Sequence, residues 1–305
     1  MPSAYDLIVI GAGPAGITAG VYAARKRMKV LVVSKDIGGQ AAISGEVENY
    51  TGYQFITGPE LAEKFAAHMR RFDIELKINE TVVDLKKNND IIEVIAESDK
   101  YLSRSVIVAT GKRSRELSVP GEKEFRGRGL TYCATCDGPL FSGKDVLVVG
   151  GGNSALDAAL QLVKIARRVY IVNTASRLAG DKILREKVAS QDKVSLLNDS
   201  YITEIFGDKV VFGVKMRGRD GELSLAVQGV FVEIGLIPNS EFAGILDKNE
   251  RGEIKTDKYN RTNIAGIFAA GDVSDIPEKQ IIIAAGDGSK ASLSAFGYLL
   301  RNRSY

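Results

Sequence analysis

One pattern occurs twice in this chain and constrains the fold more than any other feature: an apolar run, a glycine-rich loop, a helical stretch and a second apolar run. The first copy covers Asp6–Ile10, the loop GAGPAG (11–16), Pro14–Arg25 and Lys29–Val33. The second covers Asp145–Val149, the loop GGGNSA (150–155), Ser154–Ile165 and Arg168–Val172. The spacing from the first loop glycine to the end of the second run is the same in both copies, Gly11 to Ser34 and Gly150 to Asn173. The repeat predicts two βαβ nucleotide-binding units.

The glycines of these loops suit a phosphate-binding turn. A G-x-G-x-x-G loop between a strand and a helix lets the backbone approach a pyrophosphate, and the first helical turn offers unpaired N–H groups. One such loop alone is also compatible with a plain tight turn, but two loops at matching spacing favour nucleotide binding. The expected fold class is therefore α/β, with two Rossmann-like dinucleotide-binding domains.

The remaining patterns place the second domain inside the first. A surface helix is expected over Gly58–Phe72, strands over Thr81–Leu85, Ile91–Ile95, Ser105–Val108 and Gly266–Ala270, and a closing helix over Ala284–Leu300. Turn-forming residues at Ser114–Pro120 and Leu236–Glu241 mark the two crossovers. The predicted domains are residues 1–117 together with 242–305, and the inserted residues 118–241.

Composition excludes two classes of partner. Lys and Arg total 41 against 38 Asp and Glu, and the resulting net charge of +3 is too balanced for a dedicated nucleic-acid surface. No apolar run reaches the ~18 residues needed to cross a bilayer, and the N-terminus enters a buried strand rather than a signal peptide. A cytoplasmic protein is expected, with neither nucleic acid nor membrane as a partner.

Both cysteines lie in one motif, Cys133-Ala134-Thr135-Cys136. A thiol pair at this spacing can close into a disulfide, be reduced and pass electrons on. The alternative, half of a structural zinc site, needs four ligands, and the single histidine, His68, falls in the pattern of the surface helix. A redox dithiol is therefore expected, and no metal.

Thiol–disulfide exchange also needs a proton donor for the departing thiolate. Asp137 is the only ionisable residue that the sequence places beside the thiols, and an aspartic acid works as a donor only when it is buried. A helix N-cap explains an aspartate here comparably well. Spacing alone leaves both interpretations open.

The end of the second strand in such a unit commonly carries a carboxylate that binds a ribose 2′-hydroxyl. The first copy has Ser34-Lys35-Asp36, so Asp36 is only near the expected place. The second copy has Asn173, which can hydrogen-bond a ribose hydroxyl but carries no charge. A 2′-phosphate would call for arginines, and Arg177 is the only one nearby.

Jointly these motifs resemble those of low-molecular-weight thioredoxin reductases along essentially the whole chain. The matching pieces are GAGPAG (11–16), GGQ (38–40), ENY (48–50), ATG (109–111), CATCDG (133–138), GGGNSA (150–155) and AAGDV (269–273). The stretches CDGPLF (136–141) and KQIIIAAGDGSKASLSAFGYL (279–299) look closer to the flavoprotein subunit of alkyl hydroperoxide reductase, which carries extra N-terminal thioredoxin-like domains.

The resemblance implies a homodimeric, FAD-dependent disulfide reductase that acts on a thioredoxin- or glutaredoxin-like protein. Cys136 would face the flavin, Cys133 would attack the substrate disulfide, and Asp137 would be the acid. In the inserted domain, the residues implied to bind a nicotinamide nucleotide are Gly150, Gly151, Gly152, Asn153, Ser154, Asn173, Arg177 and Gly235.

The resemblance also implies a set of FAD contacts. Gly11, Gly13 and Gly16 would hold the pyrophosphate, whereas Asn49 and Gln280 would touch the isoalloxazine. Asp272 would bind the ribityl or pyrophosphate region. The other implied positions are Pro14, Ala15, Ser34, Lys35, Asp36, Gly39, Gln40, Val83, Ala109, Thr110, Gly111, Gly271, Lys279 and Ile281.

One departure bears on the electron donor. NADPH-dependent thioredoxin reductases have a His-Arg-Arg-x-x-x-Arg cluster where this chain reads NTASRLA (173–179), so NADH is expected rather than NADPH. One alternative is a ferredoxin- or deazaflavin-dependent disulfide reductase, against which the intact GGGNSA loop argues. The other is a flavin-binding redox sensor or subunit without turnover, against which the CATC pair argues.

Overall fold

The apolar runs of the sequence form the central parallel strands of two compact units. The structure is a computed structural model that describes residues 4–44, 46–219 and 221–302. The outer unit comprises Met1–Ser44, Glu48–Arg113 and Ile237–Tyr305, and the inserted unit comprises Gly45–Val47 and Ser114–Leu236. Apart from the short segment 45–47, the chain passes between units after residues 113 and 236, a few residues before the boundaries expected at 117 and 241.

The first part of the chain alternates strands and helices. Its elements are β1 (Leu7–Ala12), α1 (Pro14–Arg25), β2 (Val30–Ile37), β3 (Glu46–Val47), β4 (Ile56–Thr57), α2 (Gly58–Met69), β5 (Glu75–Ile78), β6 (Val82–Asn88), β7 (Ile91–Ala96), β8 (Lys100–Ser103), β9 (Val106–Val108) and β10 (Lys112–Ser114). Helix α1 has the bounds that the sequence predicts. Helix α2 ends at Met69 rather than at Phe72, although it begins with a capping box between Thr57 and Glu60.

The middle and C-terminal parts repeat this alternation. Their elements are α3 (Glu122–Phe125), β11 (Leu130–Thr131), α4 (Ala134–Asp137), β12 (Asp145–Val149), α5 (Asn153–Leu162), β13 (Arg168–Val172), α6 (Lys182–Ala189), β14 (Val194–Leu197), β15 (Tyr201–Gly207), β16 (Val211–Gly218), β17 (Gly221–Ala226), β18 (Gly229–Val232), β19 (Leu236–Pro238), β20 (Ile267–Ala269) and α7 (Ile281–Arg301). Helix α7 begins one turn earlier than expected, directly after Gln280.

Each unit contains one parallel five-stranded sheet. The order is β20-β9-β1-β2-β5 in the outer unit and β11-β18-β12-β13-β14 in the inserted unit. Both central strands, β1 and β12, pair in parallel with their neighbours on each side, and each unit adds a three-stranded antiparallel sheet. The expected α/β class with two Rossmann-like domains is confirmed. Each glycine-rich loop lies at the carboxyl end of the central strand of its sheet.

Close packing of α7 on α1 holds the first loop in place. A Cβ atom at Gly288 would lie 2.0 Å from the carbonyl oxygen of Ala15, so only glycine allows α7 to approach α1 this closely. The side chains of Leu7, Ile8 and Val9 in β1 are fully buried, as expected for a parallel strand covered on both faces. The buried strand β1 and the close packing of α7 on α1 together fix the position of the first glycine-rich loop at the carboxyl end of β1.

Candidate functional site

The loop after β1 has the geometry of a phosphate-binding turn. Gly11 has a φ of +103°, and a Cβ atom there would lie 2.5 Å from the carbonyl oxygen of Ala109. A Cβ atom at Gly16 would lie 1.8 Å from the carbonyl oxygen of Gly11, whereas one at Gly13 would meet nothing within 4 Å. Helix α1 starts at Pro14 without a capping side chain or an acidic residue in its first turn. The helix end is therefore open to an anion.

Other residues predicted at the FAD site gather around this loop. The Ser34 hydroxyl accepts the N–H of Ala12 at 3.0 Å, and the Asp36 carboxylate accepts the N–H of Gly39 at 3.1 Å. A Cβ atom at Gly39 would lie 3.3 Å from the Cα of Gly13. Asp36 thus holds the turn that brings Gly39 close to the glycine-rich loop. The open helix end and the close approach of these backbone segments fit the binding of a dinucleotide.

A second group of predicted FAD residues is joined by side-chain hydrogen bonds. The Asn49 amide donates to the Gln280 side-chain oxygen at 3.1 Å, which brings together two residues distant in sequence. Gly271 donates its N–H to the buried Asp287 carboxylate at 2.8 Å. The Thr110 hydroxyl donates to the carbonyl oxygen of Asn239 at 2.6 Å.

Three predicted positions are more peripheral. The side chains of Lys35, Gln40 and Val83 are exposed, and Val83 lies where the register between β6 and β7 shifts. For these residues, as for the others named at this site, the contact with FAD stays a prediction.

Sequence reasoning named Asp272 and Lys279 for the FAD site but missed Lys112 and Glu253, which complete a cluster of charges beside them. Lys112 and Glu253 form a buried ion pair, and Lys279 lies 3.4 Å from the same Glu253 carboxylate. Burial raises the pKa of Asp272, and the positive charges of Lys279 and Lys112 partly offset this rise. Burial lowers the pKa of Lys279. No local motif signals this cluster, because its members come from separate parts of the chain.

The loop after β12 repeats the arrangement of the first. Gly150 has a φ of +138°, and a Cβ atom there would lie 2.4 Å from the carbonyl oxygen of Glu233, whereas the space at Gly152 is open within 4 Å. Helix α5 starts without a capping side chain or an acidic residue in its first turn. The Asn153 side chain accepts the N–H of Asp181 at 2.7 Å and donates to its carboxylate at 3.0 Å. Ser154 and Gly235 are exposed.

Asn173 uses its side-chain nitrogen within its own loop, and its role as a ribose ligand stays a prediction. Its side chain is buried, and its amide nitrogen lies within 2.9–3.2 Å of the carbonyl oxygens of Ala175 and Arg177 and the side-chain oxygen of Asn198. The donor is therefore used inside the loop rather than offered to a ribose hydroxyl. Asn173 instead shapes the segment that presents the exposed Arg177.

The two cysteines form a disulfide at the start of α4. Their Cα atoms lie 5.3 Å apart, and Cys133 is the N-cap of α4, where its Sγ accepts the N–H of Cys136 at 3.2 Å. Both side chains are partly exposed. The pair is thus joined as expected of a redox disulfide.

Asp137 is tied to the disulfide through Thr131. Its carboxylate accepts the Thr131 hydroxyl, and the same hydroxyl accepts the N–H of Cys133 at 3.2 Å. Asp137 is the last residue of α4, and its side chain makes no capping hydrogen bond to the short 3₁₀ helix that follows. Asp137 thus occupies the N-cap position of that 3₁₀ helix without a side-chain capping hydrogen bond.

A second carboxyl group, which sequence reasoning missed, lies at the other end of α4. Burial raises the pKa of the Glu233 carboxyl to about 7, and the nearby backbone N–H of Ala134 partly offsets this rise. Glu233 directly follows β18. A glutamate after a parallel strand is a weak signal, and nothing local connects it to the cysteine motif.

The described ranges lack two features that other classes of function would need. Within residues 4–44, 46–219 and 221–302, no group of three or more His, Cys, Asp and Glu side chains could hold a metal ion. In those same ranges no helix combines the length and apolar character needed to cross a membrane. His68 is an exposed residue of α2.

Comparison with known proteins agrees with the geometry of both units. Residues 5–288 match the family described as pyridine nucleotide-disulphide oxidoreductase. The solved thioredoxin reductase of Streptococcus pyogenes MGAS5005 has a TM-score of 0.94 and 38% identity, and the match covers 99% of this chain and 100% of that one.

Two curated relatives carry other names. An alkyl hydroperoxide reductase subunit of Pseudomonas putida is 40% identical over 98% of this chain and 59% of its own length. NADH dehydrogenase of Bacillus subtilis (strain 168) is 41% identical, with the same two coverages of 98% and 59%. The chain therefore spans about three fifths of the length of these relatives.

Proposed function

This chain belongs to the pyridine nucleotide-disulphide oxidoreductase family, and we propose that it is a flavoprotein disulfide reductase. Electrons would pass from a reduced nicotinamide nucleotide, through FAD and the Cys133–Cys136 pair, to the disulfide of a thioredoxin- or glutaredoxin-like protein. The observation that carries the proposal is the disulfide at the N-terminus of α4, in a chain with two nucleotide-type loops. The homodimer implied by the sequence stays a prediction, which sedimentation velocity would test.

FAD, when bound, supplies a carrier that takes two electrons from a nicotinamide and passes them to a disulfide. In the outer unit, Gly11, Gly13 and Gly16 allow the backbone of the first loop to approach the pyrophosphate. Asn49 and Gln280 are held together by their hydrogen bond, and they would orient the ring system. Gly150 and Gly152 would play the corresponding part for the nicotinamide nucleotide in the inserted unit.

The dithiol chemistry follows from the residues around α4. Two-electron reduction breaks the Sγ–Sγ bond and, with two protons, leaves two thiols. The Cys133 thiolate would attack the substrate disulfide to form a mixed disulfide, which Cys136 resolves while Cys133–Cys136 re-forms. Asp137 would give its proton to the departing substrate thiolate, and Thr131 would hold the carboxylate in place. The substrate leaves as a dithiol.

The proposal is tested by the complete reaction. The purified yellow protein would be mixed with NADH or NADPH and a thioredoxin or glutaredoxin in its disulfide form, and free thiols would be counted. Reduction of the protein disulfide by either donor supports the proposal. If only ferredoxin or a deazaflavin supports the reaction, the electron donor is not a nicotinamide nucleotide. If the flavin is reduced but no thiols form, the chain is better explained as a flavin-binding redox sensor.

The geometry of the first loop predicts the effect of Gly13→Ala. Gly13 has φ of −78° and ψ of −174°, which any residue can adopt, and a methyl group there meets no protein atom within 4 Å. We expect the melting temperature of the apoprotein to be unchanged. The methyl group would occupy the space that a pyrophosphate needs, and overpacking of about 1–3 kcal/mol would raise the Kd for FAD at least about fivefold.

Titration of the apoprotein with FAD measures this effect. Gly244→Ala is the matched control, because that glycine also has open space around it and lies outside the loop. Equal FAD affinity in Gly13→Ala and the native chain would contradict a phosphate site at this loop.

We expect NADH to be preferred over NADPH. The loop after β13 offers Arg177 alone where three arginines mark NADPH-dependent relatives, and the exposed Thr174 and Ala175 carry no charge. In Thr174→Arg/Ala175→Arg, one charge-assisted contact of about 1.5–3 kcal/mol would raise kcat/KM for NADPH at least about tenfold. Steady-state kinetics with both donors checks this, with Lys182→Arg as a control that adds no charge. If the unsubstituted chain prefers NADPH, the positive charge that binds the 2′-phosphate must come from residues outside this loop.

A further inference from the structure

Tyr132, which directly precedes Cys133, is held by charged side chains at both its hydroxyl group and its ring. The hydroxyl donates to the Glu122 carboxylate at 2.8 Å, and the Arg126 guanidinium lies over the ring, 4.8 Å from the ring centre. The ring also packs against the hydrophobic core of the inserted unit. The dithiol chemistry proposed above uses none of these three side chains.

Glu122 is itself held firmly in place. It is only 3% exposed, and its carboxylate also accepts the backbone N–H groups of Leu117 and Ser118, each at 2.7 Å. Hydrogen bonds to a charged acceptor are among the strong ones in proteins. Burial and the bond to Glu122 raise the pKa of Tyr132, so its hydroxyl keeps its proton and remains a donor at neutral pH.

This anchor lies where the chain enters the cysteine motif. Cys133 is extended, with φ of −144° and ψ of 101°, as the N-cap of α4, and its N–H donates to the Thr131 hydroxyl at 3.2 Å. Strand β11, which ends at Thr131, pairs with β18, and Ala134 on the other side is buried. The backbone of Cys133 is therefore fixed by its neighbours on both sides.

We propose that Tyr132 is a positioning residue of the dithiol: by holding the backbone beside Cys133, it favours the disulfide over the two thiols. The proposal rests on the redox role proposed for the cysteine pair. Closing a ring costs less when the two reacting groups are already held near each other. If Tyr132 is loosened, the reduced segment samples more conformations, so closing the Sγ–Sγ bond costs more entropy and the disulfide is reduced more readily.

The equilibrium with dithiothreitol tests this in the full-length chain. Dithiothreitol gives two electrons and two protons to the disulfide, whose Sγ–Sγ bond breaks to leave two thiols, and itself becomes a cyclic disulfide. The purified protein would be equilibrated without oxygen in mixtures of reduced and oxidised dithiothreitol and quenched with acid. Its thiols would then be counted by alkylation and mass spectrometry. In Tyr132→Phe, which loses only the hydroxyl, we expect the equilibrium constant for reduction to rise about tenfold, a shift of about 30 mV.

Tyr5 provides a matched control in the outer unit, which lacks the cysteines. Its hydroxyl donates to the Glu75 carboxylate at 2.6 Å, and the Lys29 ammonium lies 4.7 Å from its ring centre. Tyr5→Phe therefore removes the same kind of contact, and we expect it to leave the equilibrium constant unchanged. An equal shift in Tyr5→Phe would mean a general effect of lost stability and would overturn the proposal.

Melting temperatures separate positioning from stability. A lower melting temperature of Tyr132→Phe with an unchanged equilibrium constant would mean a purely structural role and overturn the proposal, as would a disulfide that is harder to reduce. Arg126→Met, which removes the guanidinium from the ring, should raise the constant about threefold. Should Tyr132→Phe fail to fold, an unchanged constant in Arg126→Met would overturn the proposal.

The outcome can be distinguished from that of the proposed function, because the equilibrium needs no nicotinamide nucleotide and no protein substrate. Equal constants in the native chain and Tyr132→Phe would reject the positioning role even if the native chain reduces a protein disulfide. A raised constant in a chain that reduces no protein disulfide would support the positioning role and reject the proposed function.

Discussion

Replacing Cys136 by serine is expected to lower reduction of a protein disulfide to the rate measured without enzyme. The chain has two cysteines, joined to each other in the structure, so no other thiol can resolve a mixed disulfide. In Cys136→Ser, Cys133 remains free to attack the substrate, and a stable mixed disulfide should accumulate. Mass spectrometry under non-reducing conditions measures this adduct, alongside the loss of turnover.

The companion variant assigns the roles of the two thiols. Cys133→Ser should also abolish turnover, but it should trap much less substrate, because the attacking thiol is then missing. Thr135→Ser is the control within the motif: Thr135 is exposed and its hydroxyl donates to Gln161, a bond that serine can keep. Retained activity in either cysteine variant would refute the dithiol relay, and trapping by Cys133→Ser alone would exchange the two roles.

Replacing Asp137 by asparagine is expected to slow turnover with a protein disulfide by about 10²–10⁴-fold, the usual contribution of a general acid. Asparagine keeps the shape and can still accept the Thr131 hydroxyl, but it has no proton of suitable acidity to give. Formation of the reduced dithiol should persist. Rapid-mixing experiments would separate dithiol formation from its reoxidation by substrate.

Thr131→Val tests whether Asp137 acts through its proton or through its position. This variant removes the hydroxyl that bonds to both Asp137 and the N–H of Cys133 but leaves the acid in place, so a loss of only about tenfold is expected, the value of one hydrogen bond. An effect of Asp137→Asn below about threefold would contradict the acid role. Equal losses in the two variants would mean that Asp137 mainly orders the segment.

The parts of the site that the sequence predicts are those built from neighbours in the chain. Helix α1 and strands β12 and β13 have the predicted bounds, because apolar runs, glycines and Pro14 act within a few residues of themselves. The cysteine pair is similar, since a C-x-x-C spacing can close on one helical turn. The loop glycines could be assigned for the same reason: their spacing alone requires a tight turn between a strand and a helix.

Sequence spacing was a poorer guide where a side chain had a choice of partners. Asn173 stands at the position of a ribose ligand, yet its amide donates within its own loop, because a buried donor must be satisfied. Asp137 suited an N-cap on spacing, but the Thr131 hydroxyl takes its carboxylate. In both cases hydrogen-bond geometry, which a linear pattern does not contain, selected the partner.

The sequence by itself determined the two nucleotide-type units, the order of their elements and the redox pair. Tertiary structure alone decided which distant groups share an environment. Lys112 and Glu253 are 141 positions apart and form a buried ion pair, and Glu233 comes near Ala134 because β18 pairs with β11, the strand that leads into the cysteine motif. The physical reason is that a charge or a hydrogen bond depends on distance and burial, and strand pairing sets both for residues that are far apart along the chain.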